Sequence, residues 1–155
     1  MYNEKYKFDI TVKETCLPLL NVSMSGIDEK LWILIDTGSE LTLFDDTVVS
    51  ACLSEGQHNN EGELSISFLS GEMNKNSRSV SLLFDVENYE GETLQLELSG
   101  YTADLSNISK HMKEYNELDG NIIGIIGSDY LESTEAKIDY KTGYITIDPY
   151  AEAMV

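Results

Sequence analysis

Prolines, cysteines and cations are scarce in this chain of 155 residues. Its only prolines are Pro18 and Pro149, so no proline-rich linker divides it. Its only cysteines, Cys16 and Cys52, are too few for a disulfide scaffold and read as reduced thiols, packed like small apolar side chains. Lys and Arg together number 10 against 28 Asp and Glu, a formal net charge of −18. Nucleic acid and anionic membrane surfaces are thereby excluded as partners, since phosphate contacts need cations. No apolar run approaches a membrane span. The opening "MYNEKYKFDITVKETCLPLL" is broken by charge where a signal peptide needs an apolar core, so the expected location is cytoplasmic. His58 and His111 lack ligand-spaced partners, which argues against a metal site, and neither Cys16 nor His58 sits in a nucleophile turn. No cofactor is called for.

The residues that are present describe a folded domain. The 41% apolar and 25% charged shares are ordinary for a globular chain, and the length suits a single domain spanning 1–155. "LPLLNVSMSG" and "LWILI", joined by a Gly-containing turn, predict a hairpin, and "ELSISF", "VSLLFDV" and "TLQLELS" predict half-buried strands. The last two are antiparallel candidates, because "ENYEGE" between them holds no crossover helix. Helical spacing appears only in the C-terminal third. "SNISKHMKEYNEL" places Ile108, Met112, Tyr115 and Leu118 on one face, with Ser106 as N-cap, and a short helix is predicted from Ser128. "AKIDYKTGYITID" predicts a closing hairpin. The fold class is therefore all-β, mainly antiparallel, barrel-like or sandwich-like, with one or two short helices near the end.

Within this pattern "LWILIDTGSELTLF", Leu31 to Phe44, runs an apolar strand straight into Asp36. A carboxylate there is partly desolvated, which disfavours its charged form unless hydrogen bonds compensate. Thr37 and Ser39 supply hydroxyls, and Gly38 lets backbone amides approach. Two readings fit: an oriented, chemically used carboxylate, or a simple turn of Asp, Gly and Ser between strands.

Asp36-Thr37-Gly38-Ser39, preceded by "ILI" and followed by "LTLF", resembles the active-site loop of aspartic proteases, above all the single-domain retropepsin-like ones of bacterial type. A second stretch, "GNIIGIIGSDYL", resembles the family's apolar-apolar-Gly signature as Ile125-Ile126-Gly127, followed by a helix start; Ile122-Ile123-Gly124 is a competing register. The resemblance spans roughly Leu17 to Ile147. It implies a closed, acid-protease-like antiparallel β-barrel. It also implies an aspartic endopeptidase, in which two aspartates share one proton and activate a water between them. The regions around Asp119 and Asp139 lack the strand-into-Thr-Gly pattern, so a second Asp36 must come from another copy, and activity requires a homodimer.

The resemblance further implies that Thr37 hydrogen-bonds across to the partner loop, and that an extended peptide or protein substrate lies under a hairpin flap, with its tip near Leu69, Ser70 and Gly71. One departure concerns the clamp between subunits. Retroviral members carry an acid, which Glu40 can replace, and an Arg, whose position here is Ser128. Without that ion pair, and with −18 per chain, the dimer should strengthen and activity rise toward mildly acidic pH. A competing function on the same fold is an inactive domain that binds peptides or dimerises.

Overall fold

The computed structural model describes residues 4–11, 15–53, 59–60, 67–68, 71–72 and 78–151. After a 3-10 turn (Glu4–Tyr6), the strands in chain order are β1 (Lys7–Asp9), β2 (Leu19–Met24), β3 (Ile27–Ile35), β4 (Leu43–Asp45), β5 (Asn59–Asn60) and β6 (Ser67–Phe68). They continue with β7 (Gly71–Glu72), β8 (Ser79–Glu87), β9 (Thr93–Ala103), β10 (Asn121–Ile126), β11 (Lys137–Asp139) and β12 (Tyr144–Thr146). The helices are α1 (Asp46–Leu53), α2 (Ser106–Asn116) and α3 (Ser128–Ser133). Among these residues no helix is long and apolar enough to cross a membrane.

Strands β2, β3, β10, β4, β9 and β8 pair in that order, and β8 returns to β2 through Ser23 and Asp85, closing a six-stranded barrel. Closure gives every barrel strand a neighbour on both sides, which a flat sheet of this size could not do. The barrel is mainly antiparallel as expected, but β3 with β10 and β4 with β9 run parallel. The first of these follows from β10 inserting between β3 and β4, the strands that flank the Asp36 loop: it runs antiparallel to β4 and so parallel to β3. A separate three-stranded sheet of β1, β12 and β11 contains the predicted closing hairpin.

Alternation builds the core. In β8 and β9 every second side chain from Val80 to Val86 and from Leu94 to Leu98 is buried, while Leu83, Glu87, Gln95 and Glu97 face out. This period of two is the sequence signal that predicted both strands. Strand β10 is different: all of Ile122 to Ile126 is buried. It is covered on one side by barrel residues such as Ile33 and Phe44, and on the other by a smaller cluster of Leu19, Trp32, Met112 and Leu118. The Trp32 indole N–H donates to the carbonyl of Asp119 at 2.7 Å.

Four expectations need correction. Helix α1 lies in the first half, where no helical signal was read; "DTVVSACL" is rich in β-branched residues, and its helix forms by burying Val49 against the barrel. Ser106 is the first residue of α2 and caps nothing; its N–H and hydroxyl both donate to Asp104 Oδ1, at 3.0 and 2.6 Å. Tyr115 is 72% exposed and stacks on His111 while Met112 and Leu118 face the barrel. Cys16 is a free, exposed thiol, so it packs no core.

Candidate active site

The Asp36 loop is held from beneath by the end of β10 and the start of α3. Parallel pairing brings Ile126 level with Ile35, and the Asp36 N–H donates to the Ile126 carbonyl at 2.9 Å. The chain then passes into α3, whose first amides turn back to the loop. Ser128 N–H donates to the Ser39 carbonyl at 2.7 Å, and Asp129 N–H to that of Glu40 at 3.2 Å. The Ser128 hydroxyl donates to the Thr37 carbonyl at 3.1 Å. Loop carbonyls that would otherwise need water are thus satisfied by an element more than eighty residues away in the chain.

Gly127 makes this approach possible. A Cβ there would lie 2.4 Å from the Leu41 carbonyl oxygen and 2.7 Å from that of Ser39. At Gly124, the competing register, a Cβ would lie 3.1 Å from the Leu43 carbonyl oxygen, a tight contact that a shift of a few tenths of an ångström relieves. The glycine pressed under the loop is Gly127, with Ile125 and Ile126 buried just before it.

Thr42 is the internal fastener of the loop, and its side chain is fully buried. Its hydroxyl donates to Asp129 Oδ1 at 2.7 Å and accepts from the Gly127 N–H at 3.1 Å, and its N–H donates to Asp129 Oδ2 at 3.0 Å. Its carbonyl accepts from Tyr101 on β9 at 2.9 Å. There Gly100 packs so closely that a Cβ would stand 2.4 Å from the Thr42 oxygen. Neither Thr42 nor Asp129 was singled out as a supporting residue from sequence. The available signal was a lone hydroxyl inside the apolar run "LTLF" and an acid in the first turn of a helix.

Above this base the loop opens outward. Asp36 is half-buried, and its Oδ1 accepts from the Gly38 N–H at 2.9 Å. Thr37 and Gly38 are exposed, and the Thr37 hydroxyl has no partner among the described residues. Ser39 does not serve the carboxylate; its hydroxyl turns away and donates to the Leu41 carbonyl at 2.8 Å. Strands β6 and β7 form a hairpin, with Phe68 opposite Gly71. Gly71 opens β7, while Leu69 and Ser70 lie outside the described residues.

Two solved structures are similar to this chain. The chain is similar to a retroviral protease-like domain of Ddi1 from Leishmania major at 17% identity and a TM-score of 0.48, covering 86% of this chain and 90% of that one. It is also similar to a retropepsin-like aspartic protease from Rickettsia conorii at 12% identity and a TM-score of 0.48, covering 91% and 89%. No protein-family model and no curated protein sequence matches.

Proposed function

We propose that the chain is an aspartic endopeptidase that works as a homodimer, with Asp36 of each copy contributing one carboxylate. The observation that carries this reading is the arrangement of the Asp36 loop. Its inner side is anchored by β10, α3 and Thr42, while half-buried Asp36 and exposed Thr37 face outward. A turn that only links two strands has no use for so rigid a base beneath an outward carboxylate.

One carboxylate cannot do the chemistry. Two placed face to face cannot both ionise cheaply, so they hold a single proton between them. The ionised one takes a proton from a shared water as that water attacks the scissile carbonyl, and the protonated one donates to the carbonyl oxygen. Ile125, Ile126 and Gly127 set the loop's height, and Thr37 is free to reach the partner loop and keep the carboxylates in register. The β6–β7 hairpin is the flap in this reading, closing over an extended peptide.

Asp36→Asn tests it. The variant should keep the fold and the dimer and lose cleavage of a mixed-peptide digest at every pH from acidic to neutral, with pepstatin blocking the native chain. Native protein that binds extended peptides but never cleaves them would show a binding module instead. A strict monomer under cleaving conditions would exclude the shared-water mechanism.

A further inference from the structure

The opposite end of the barrel carries a second concavity, unrelated to Asp36. Helices α1 and α2 stand apart over the first residues of β3 and β10 and leave a cavity of about 700 Å³. Its floor is apolar: Ile27, Leu31, Val48, Leu105, Ile122 and Ile123. Leu31 lies on β3, five residues before Asp36 in the loop that follows the strand, about 16 Å away at 3.3 Å per residue. A cavity of this size at the mouth of a barrel is within the range that takes small ligands.

The charge at its rim is unusual for this chain. Lys110 and Lys113, one helical turn apart on α2, both line the cavity, although the whole chain has only 10 cations. Both are exposed, and neither has an ion pair among the described residues. Lys113 lies in the last turn of α2, where the helix dipole already favours a cation; Lys110 lies mid-helix and has no such reason to be there. Two nearby acids are occupied. Asp45 accepts from the amides of Leu105 and Thr47, at 2.9 and 3.3 Å, and Glu29 from the Asn121 amide at 2.7 Å. Glu114 is the remaining acid of the lining, beside two cations.

We propose that this cavity binds an apolar monocarboxylate, such as a medium-chain fatty acid. The hydrocarbon body lies on the isoleucine and leucine floor, and the carboxylate sits between the ammonium groups of Lys110 and Lys113. Burial of the chain supplies affinity, and the paired cations select the acid over its neutral analogue.

The test is calorimetric titration of the full chain with dodecanoate below its micellar concentration, and with dodecanol as the uncharged control. Dodecanoate should bind saturably and more tightly than dodecanol. Lys110→Gln with Lys113→Gln, both at exposed positions, should weaken dodecanoate roughly tenfold and leave dodecanol unchanged. Thr47→Trp, at an exposed site on the cavity's edge, should block both ligands. Far-ultraviolet circular dichroism matching the native chain keeps each variant interpretable. No saturable heat, equal affinity for the two ligands, or undiminished dodecanoate binding in the lysine variant would each overturn the assignment.

Discussion

The bonds made by Thr42 give a sharp measure of how much the Asp36 loop depends on its base. Thr42→Val keeps the shape of the side chain and removes one oxygen. Two things follow at a fully buried position. The Gly127 N–H, which donates to that oxygen at 3.1 Å, loses its partner, and the Asp129 carboxylate loses its 2.7 Å donor while keeping the Thr42 amide. Leaving a buried donor unsatisfied costs about 1–3 kcal/mol, and a hydrogen bond to a charged group is worth a comparable amount. Asp129 is itself exposed, so water recovers part of the second loss. The expected total is about 2–4 kcal/mol, or roughly 4–16 °C in Tm for a domain of this size. Thr42→Ser, which keeps the oxygen and loses a methyl, should cost about 1 kcal/mol. Urea unfolding followed by the fluorescence of Trp32, the only tryptophan and 9% exposed, measures all three proteins. A Thr42→Val variant within about 0.5 kcal/mol of the native chain would refute the idea that Thr42 fastens the loop.

The two glycines of β10 and its exit should respond differently in the same assay. Gly127→Ala, whose Cβ meets backbone oxygens at 2.4 and 2.7 Å, should cost about 3 kcal/mol, and Gly124→Ala, whose Cβ meets its nearest atom at 3.1 Å, about 1 kcal/mol. Burial, with the neighbouring Asp45 charge, raises the Asp46 carboxyl above its usual range. The native state therefore binds the proton more tightly, and this group's contribution is lost as pH rises through the ordinary carboxylate range and above it. Asp46→Asn should flatten that part of the stability profile, so denaturation midpoints at pH 4 and pH 7 should lie closer together than in the native chain. The hydroxyl of Tyr6 donates to that of Tyr150 at 3.2 Å, and that bond together with burial pushes the Tyr6 phenol up to about 12. Tyr150→Phe removes one phenol from an absorbance titration and should move the high-pH transition of Tyr6 to lower pH; a Tyr6 transition left in place would count against the pairing.

Much of the barrel was legible because its strands alternate. Two-residue periodicity marks β8 and β9 without ambiguity, since one face is buried and the other wet. The hairpins of β2 with β3 and of β11 with β12 were readable from glycine turns between short apolar runs. Helix α1 was not legible, because "DTVVSACL" has the composition of a strand and becomes helical only against the barrel wall. Tyr115 was misplaced because helical spacing gives a face but not its width, and α2 buries a stripe narrower than the spacing allowed.

For the site, local chemistry alone picked out Asp36 and its Thr-Gly-Ser turn, because an apolar strand ending in a carboxylate is conspicuous at any distance from the rest of the chain. Local sequence could not decide between Gly124 and Gly127, nor connect Thr42 with Asp129. Those relations depend on β10 running parallel to β3 and delivering residues 127–129 beneath residues 39–42. Short-range patterns record what each segment tends to form. Which glycine is pressed under the loop, and which hydroxyl holds it, depend on contacts between segments some eighty-five residues apart, and only packing brings those together.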